Sequence, residues 1–192
     1  IKVQWSELFL PCYIFLPLIN STPNLFLTTS LQSSPHAGII TTALASALKA
    51  VNPELAVQRF LKREGNNLIA GERRYRLDQF NRVFIIAAGK AAFPMAKSTC
   101  KVIGERLTQG LIITKEGYAN DQGPGPVHQK LRVFEASHPL PDERAVSATQ
   151  KIIKLLNQTQ KDDLVICLIS GGGSALLTCP ASGLMLDDLR QL

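Results

Sequence analysis

The spacing of apolar residues alternates between helical and strand-like patterns once the sequence passes Ala37. Apolar residues recur at three- and four-residue steps over residues 37–51, which predicts an amphipathic helix. Asn52, Pro53 and Glu54 then form a typical helix start, with an N-cap, a proline at the first helical position and an acidic first turn. The sequence therefore predicts a second helix, which ends before the EGNN stretch.

Four short apolar runs follow, separated by segments of helical spacing. The runs are rich in β-branched residues and predict strands at 82–88, 110–115, 131–136 and 163–170. The other segments predict helices at 88–107, 142–159 and 184–192. Strands apolar enough to be buried on both faces, alternating with helices, indicate a parallel sheet in an α/β fold. Ligands bind such sheets at the carboxyl ends of the strands, so the loops that follow the strands are the candidate sites.

The first strand-end loop is AAGKAAFPMA, residues 87–96. Gly89 and Lys90 precede small residues that open a helix, so backbone N–H groups and one ammonium can approach an anion together. The loop is not a Walker A motif, which would require glycine at Phe84 and Ser or Thr at Ala91. A glycine needed only for tight packing, beside an incidental lysine, explains the same pattern, and the local sequence leaves both interpretations open.

The second strand-end loop is EASHPLPDERA, residues 135–145. His138 stands where a histidine can donate to a ligand or carry a proton near neutral pH. The alternative is a histidine that only fixes the loop through hydrogen bonds. Asp142 follows a proline and is placed to cap the next helix, or to take part in the site.

The third strand-end loop contains three consecutive glycines and a serine. Gly171, Gly172 and Gly173 remove side chains and permit positive φ, so successive N–H groups can line a concavity, and Ser174 adds a hydroxyl. A tight turn explains one or two glycines but not a third, which is costly to order. We therefore favour anion binding. The dinucleotide fingerprint GxGxxG does not fit, because Leu176 stands where its last glycine would be.

Composition and charge narrow the class of protein. Hydrophobic residues make up 45% of the chain and charged residues 19%, as in folded globular proteins. The net charge of +6 permits an acidic partner, but no aromatic platform or nucleic-acid module accompanies the densest basic cluster. We interpret that cluster as a solvated helix end and loop and expect no nucleic-acid partner. Its members are Arg59, Lys62, Arg63, Arg73, Arg74 and Arg76.

The cysteines indicate a reducing compartment. Cys12, Cys100, Cys167 and Cys179 form no CxxC pair, and no histidine lies at zinc-ligand spacing, so the sequence supports neither a metal site nor a disulfide framework. We expect a cytoplasmic protein. Cys167, within an apolar run, is interpreted as a small buried hydrophobic residue.

Residues 1–35 differ in composition from the rest. The apolar stretch 8–19 is too short for a membrane-spanning helix and contains Pro11 and Pro17. The segment after it is rich in Ser, Thr and Pro. We interpret residues 1–35 as an extension outside the fold, a linker or targeting-like segment, which leaves organellar targeting open. Residues 36–192 are the predicted α/β domain, and we expect no membrane partner.

Four motifs taken together carry a family resemblance. AAGKAAFPMA, GLIITKEGY, EASHPLPDERAV and LISGGGSALLTCP occur in this order from about Ala37 onward. This part of the chain resembles the amino-terminal domain of the glycerate 2-kinase family, which is also met under the name hydroxypyruvate reductase. The resemblance implies a three-layer α/β/α, Rossmann-like domain with a mainly parallel sheet. It also implies ATP-dependent phosphorylation of D-glycerate to 2-phosphoglycerate with Mg²⁺, in a cleft against a second domain.

The resemblance assigns site residues only where the motifs match. Lys90 matches the lysine of the GKAA motif and is implied to be catalytic, neutralising a substrate carboxylate or the transferring phosphoryl group. Gly89 belongs to the same motif. The SGGGSA loop is implied to hold an anion, and His138 and Asp142 match the HPxPD motif. The loop comprises Ser170, Gly171, Gly172, Gly173 and Ser174.

The chain departs from the family pattern at both ends. Residues 1–35 have no counterpart in it, and the sequence stops after LDDLRQL, before the rest of the first domain and the second domain. We therefore expect a sheet that is incomplete at its carboxyl-terminal side, and a 192-residue chain that is inactive alone. Two alternatives stay open, a small-anion-binding α/β module without turnover and a hydroxypyruvate reductase.

Overall fold

A computed structural model describes residues 22–119 and 129–191 of the protein. Its strands are β1 (Leu61–Glu64), β2 (Asn67–Ala70), β3 (Arg73–Arg76), β4 (Val83–Ala88), β5 (Leu107–Lys115), β6 (Leu131–Ala136) and β7 (Leu164–Ile169). Its helices are α1 (Thr29–Gln32), α2 (Ala37–Ala50), α3 (Pro53–Phe60), α4 (Ala92–Ile103), α5 (Glu143–Leu156), α6 (Gly173–Leu176) and α7 (Leu186–Arg190). Short 3₁₀ turns lie at Pro23–Phe26, Leu77–Gln79 and Gly104–Arg106.

The larger sheet has four parallel strands in the order β6-β5-β4-β7. Alternate residues of each strand face opposite sides, and both sides of β4 are buried. On one side, Ile85 and Ala87 pack with the apolar face of α4. On the other, Phe84 and Ile86 pack with α5. The predicted α/β fold with a parallel sheet and helices on both faces is confirmed.

Helix starts follow the predicted capping signals. The Asn52 side chain accepts a hydrogen bond from the Leu55 N–H at 3.0 Å, and Pro53 is the first residue of α3. Asp142 accepts one from the Ala145 N–H at 3.0 Å and caps α5. These bonds satisfy N–H groups that have no partner within the first helical turn.

The interpretation of the basic cluster as a helix end and loop is wrong for most of its members. Residues 61–76 form a three-stranded antiparallel sheet, β1-β2-β3, whose two turns begin at Gly65 and Gly71. Leu61 and Leu68 anchor one face of this small sheet in the core that α4 shares. The basic side chains there are exposed on short strands, which the sequence pattern did not distinguish from a loop.

The prediction that Cys167 is buried is also wrong. Cys167 is exposed. The reason is that β7 is the outer strand of the sheet in the described part of the chain, while α5 packs over β6 and β5. An apolar run can therefore be a parallel strand without being covered on both faces. Cys100, Cys167 and Cys179 are free thiols.

The amino-terminal segment is described only from residue 22. Residues 23–32 form a 3₁₀ turn and the single-turn helix α1, neither of which contains a buried residue. The apolar stretch 8–19 and Cys12 lie outside the described residues. Among the helices of residues 22–119 and 129–191, none has the length and hydrophobicity required to cross a membrane.

Candidate anion-binding site at the carboxyl ends of the strands

The loops after β4 and β7 are joined by hydrogen bonds, because these strands are neighbours in the sheet. The Lys90 N–H donates to the Gly171 carbonyl at 2.9 Å, and the Ala91 N–H donates to Ser170 Oγ at 3.0 Å. Gly89 has a φ of +122°, and a Cβ there would collide with Ser170. The predicted loop residues Gly89, Lys90, Ser170 and Gly171 therefore lie together. The Ser170 hydroxyl, which is buried, joins the two loops.

The glycine loop leaves two backbone donors free. The Gly173 N–H donates to the Ser170 carbonyl at 3.2 Å. In contrast, the N–H groups of Gly171 and Gly172 have no acceptor among the described residues. Ser174 is exposed within α6, which is a single turn long. The backbone thus supplies two free donors here rather than the three that the run of glycines suggested.

His138 reaches this loop from the opposite edge of the sheet. It follows β6, yet a Cβ on Gly172 would lie 2.7 Å from its Cδ2 and Nε2 atoms and 3.5 Å from Lys90 Cγ. The segment after β6 therefore crosses the ends of β5 and β4. Gly172, with a φ of +85°, must be glycine both for its backbone conformation and for this contact.

The charge around His138 is positive. Burial lowers the pKa of the half-buried imidazole, and the positive charges of Lys90 and Lys115 lower it further. Neutral imidazole is therefore the favoured form near pH 7. The cluster combines two ammonium groups, one neutral ring and free N–H groups.

Asp142 stabilises the histidine loop. Its carboxylate accepts hydrogen bonds from the N–H groups of Ala145 at 3.0 Å and Ser137 at 3.3 Å, and from Arg144 Nε at 2.7 Å. Burial raises the pKa of Asp142, but these hydrogen bonds and the charge of Arg144 lower it by more, so the net shift is downward. Asp142 is therefore an ionised N-cap that joins both ends of the loop.

Two arginines hold the same loop from outside. Arg144 also donates to Glu116 at 2.9 Å, which connects the loop after β6 to the loop after β5. Arg190, in α7, donates to the Pro141 carbonyl at 2.9 Å. The segment that carries His138 is therefore fixed at several points.

Lys115 is the cluster residue that the sequence analysis did not select. It is the last residue of β5, the strand between those that position Lys90 and His138. The signal was present as a lysine at the last position of a predicted strand, where the strand-end loop begins. Gly117 follows Lys115 in the motif GLIITKEGY, but neither a glycine next to the lysine nor a run of glycines marks an anion site there.

Comparison with known proteins gives the family. Residues 39–192 match the family model described as a domain of unknown function, DUF4147. The chain belongs to the DUF4147 family. A D-glycerate 2-kinase of Thermotoga maritima is 37% identical over 58% of this chain and 26% of its own length. A glycerate 2-kinase of Pyrococcus horikoshii is 33% identical over 77% of this chain and 31% of its own.

A solved structure confirms the fold of this DUF4147 chain. The crystal structure of a Pyrococcus horikoshii protein, 34% identical, superposes with a TM-score of 0.66 over 75% of this chain and 31% of that one. The resemblance to the glycerate 2-kinase family is confirmed by these relatives. The chain spans about a third or less of the length of the relatives that it matches.

The candidate site of this DUF4147 chain suits anions better than metal ions. Two lysines and two free N–H groups are donors that carboxylate and phosphate oxygens accept. The resemblance also implies Mg²⁺, which takes oxygen ligands such as carboxylates. In residues 22–119 and 129–191, no group of three or more His, Cys, Asp or Glu side chains could hold a metal ion by itself. Asp142, the carboxylate of the site, is already engaged by three hydrogen bonds.

Proposed function

We propose that the complete gene product carrying this chain transfers the γ-phosphoryl group of ATP to the 2-hydroxyl of D-glycerate. The O–P bond to ADP breaks, a new O–P bond forms at the 2-oxygen, and the hydroxyl proton is released. The observation that carries the proposal is the contact of His138 with Gly172 beside Lys90, which unites three strand-end loops around a positive cluster. The names of two relatives, D-glycerate 2-kinase and glycerate 2-kinase, support glycerate as the acid.

Each group in the cluster has a role that its chemistry allows. Lys90 neutralises charge on the phosphoryl group, and the free N–H groups of Gly171 and Gly172 donate to its oxygens. His138, neutral near pH 7, is suited to accept a hydrogen bond from a hydroxyl of the acid. Phosphoryl transfer depends mainly on positioning and charge neutralisation, which such residues provide. No role here depends on Mg²⁺.

Coupled assays test the proposal. The complete gene product is incubated with ATP, Mg²⁺ and D-glycerate, and the product is detected either with enolase alone or with enolase and phosphoglycerate mutase. We expect a signal with enolase alone, since enolase consumes 2-phosphoglycerate. A signal that requires the mutase would show transfer to the 3-hydroxyl instead, and no signal in either assay would refute the kinase proposal. We expect no signal from the 192-residue chain alone.

We predict that Lys90→Met in the complete gene product lowers kcat at least about a hundredfold while the protein stays folded, because charge on the transferring group loses its counter-ion. The measurement is steady-state kinetics together with the thermal unfolding midpoint. Lys101→Met is the matched control, since Lys101 is exposed in the last turn of α4, away from the strand ends. Equal kcat for the two variants would show that Lys90 is only a packing feature.

An anion-binding module without turnover is the second candidate. It is favoured by the charge of the described site, which offers cations and N–H donors while its carboxylate caps a helix. Saturable binding of 2-phosphoglycerate by a gene product that shows no kinase signal would support it.

A hydroxypyruvate reductase is disfavoured, because the strand-end loops lack the dinucleotide fingerprint. The free cysteines agree with the proposed cytoplasmic compartment.

A further inference from the structure

Lys115 lies where it can complete the anion site from a third strand. Ala88 at the end of β4 pairs with Ile113, so Lys115 extends two residues beyond that level. On its other side Lys115 pairs with Ala136, the residue after which the chain turns toward His138. Because the histidine segment crosses the end of β5 to reach Gly172, Lys115 lies beside its path.

The acidic side chains near Lys115 are engaged elsewhere. Glu116 pairs with Arg144 at 2.9 Å. Glu135 accepts hydrogen bonds from the N–H groups of Gly117 at 3.1 Å and Ala119 at 3.0 Å. Within the described residues Lys115 has no carboxylate partner. A half-buried ammonium with no counter-ion among the described residues is suited to bind an anionic group of a ligand.

Two further observations concern the ammonium, one on its orientation and one on its effect on His138. Its Nζ lies 5.4 Å from the centroid of the Tyr118 ring, a weak contact that orients the side chain. Its charge also contributes, with that of Lys90, to the lowered pKa of His138. The two lysines therefore act on the same imidazole from neighbouring strands.

We infer that Lys115 binds the carboxylate of the three-carbon acid, while Lys90 and the free N–H groups of Gly171 and Gly172 bind the phosphoryl group. The assignment follows from the number of donors. A phosphoryl group has three oxygens, and the donors that suit it are grouped at Lys90. Lys115 stands apart from the free N–H groups, on the next strand, and supplies a single cation for a second anionic group. This inference rests on the proposed function for the identity of the acid.

A pair of ligands tests this assignment without turnover. Glycerol 2-phosphate is 2-phosphoglycerate with its carboxylate replaced by a hydroxymethyl group. Its phosphoryl group is therefore its only anionic group. Dissociation constants of both compounds are measured by calorimetry for the complete gene product and for Lys115→Met, Lys115→Arg, Lys90→Met and Lys161→Met. Lys161 is an exposed lysine on the turn before β7, at the amino-terminal ends of the strands, and serves as the control.

We expect Lys115→Met to weaken binding of 2-phosphoglycerate about ten- to hundredfold and to leave glycerol 2-phosphate unchanged, because a charge-assisted hydrogen bond is lost with one ligand only. Lys115→Arg restores part of the affinity for 2-phosphoglycerate. Lys90→Met weakens both ligands, and Lys161→Met weakens neither. Unfolding midpoints show whether each variant is folded.

Other outcomes would overturn the assignment. Equal losses for both ligands in Lys115→Met would make Lys115 a phosphoryl contact, and no loss would remove it from the site. Wild-type protein that binds the two ligands equally well, or binds neither, has no carboxylate subsite. Binding is measured without ATP, so selective binding through Lys115 in a protein that lacks kinase activity would retain this inference while the proposed function fails.

Discussion

At the scale of single residues, Gly172 is the position where backbone and site depend on each other. We predict that Gly172→Ala weakens binding of both 2-phosphoglycerate and glycerol 2-phosphate more than tenfold. The added Cβ would stand 2.7 Å from the His138 ring, so the ring has to move away from the glycine loop. The left-handed backbone adds a destabilisation of about 1–2 kcal/mol. Calorimetry and urea unfolding measure the two effects.

Gly183→Ala separates the two effects of the Gly172 substitution. Gly183 has a φ of +87°, close to the +85° of Gly172, and an added Cβ there would meet no atom within 4 Å. Both variants should therefore lose a similar amount of stability, whereas only Gly172→Ala should lose affinity. Unchanged affinity in Gly172→Ala would mean that the position of His138 does not matter for binding.

The residues of the candidate site were partly predictable from sequence. Lys90, His138 and the glycine loop were selected because glycines and prolines mark strand-end loops that need special backbone conformations. Lys115 was missed because its role depends on which strands are neighbours. The order β6-β5-β4-β7 places it between Lys90 and the His138 segment, and residue spacing alone does not give that order.

At the scale of elements, the start of α5 determines where the histidine segment lies. We predict that Asp142→Ala destabilises the protein by about 1–2 kcal/mol, because the helix loses its N-cap. The substitution also removes the bond from the Ser137 N–H, which holds the other end of the segment. The His138 pKa should then rise toward its ordinary value, because the loosened ring is less buried. NMR titration of the imidazole measures this shift.

Asn52→Ala is the matched control for the Asp142 substitution. Asn52 caps α3 through an equivalent bond from the Leu55 N–H at 3.0 Å, but it lies outside the strand-end loops. A similar loss of stability without any change in the His138 pKa is expected. If Asp142→Ala also leaves that pKa unchanged, the bond from Arg190 to the Pro141 carbonyl is enough to hold the segment.

Elements with long periodic patterns were predicted well, and short ones were not. The helices from Ala37 and Asn52, and the helices and strands of the parallel sheet, lie close to their predicted positions. The strands β1, β2 and β3 have four residues each, and their outward side chains are mostly charged. Their apolar pattern is therefore weak. The sequence feature that does mark these hairpins is a glycine at the start of each two-residue turn, Gly65 and Gly71.

At the scale of the whole molecule, the outer position of β7 explains why burial was overestimated from sequence. Its residues are as apolar as those of β4, but β4 has a neighbouring strand on each side and β7 has one in the described part of the chain. Ile169 is 41% exposed, whereas Ile86, on β4, is 3% exposed. An apolar run therefore predicts a strand of a parallel sheet, but its coverage depends on the elements that surround it.

The amino-terminal ends of β4 and β7 are joined by an ion pair, which leads to a prediction for the whole fold. Arg82 donates to both carboxylate oxygens of Asp163, at 3.1 and 2.6 Å, and the Asp163 side chain is only 1% exposed. The Gln160 N–H donates to the same carboxylate at 2.8 Å. The hydrogen bonds from Arg82 hold the pKa of Asp163 below its usual range.

Because the pKa of Asp163 is lowered in the folded protein, the ion pair stabilises the fold more at neutral pH than at acidic pH. The stabilisation is fully present above the unfolded-state pKa of about 4 and is lost as the pH falls through the folded-state value. We predict that Asp163→Asn lowers the free energy of unfolding at pH 7 and that its difference from wild type shrinks at about pH 3. Urea unfolding at pH 7, 5 and 3 measures this difference.

The matched control is Glu64→Gln, which breaks an exposed pair with Arg74 at 3.5 Å and should have little effect on stability at any of these pH values. A difference for Asp163→Asn that is the same at all three would show that the ionised pair does not stabilise the junction of β4 and β7.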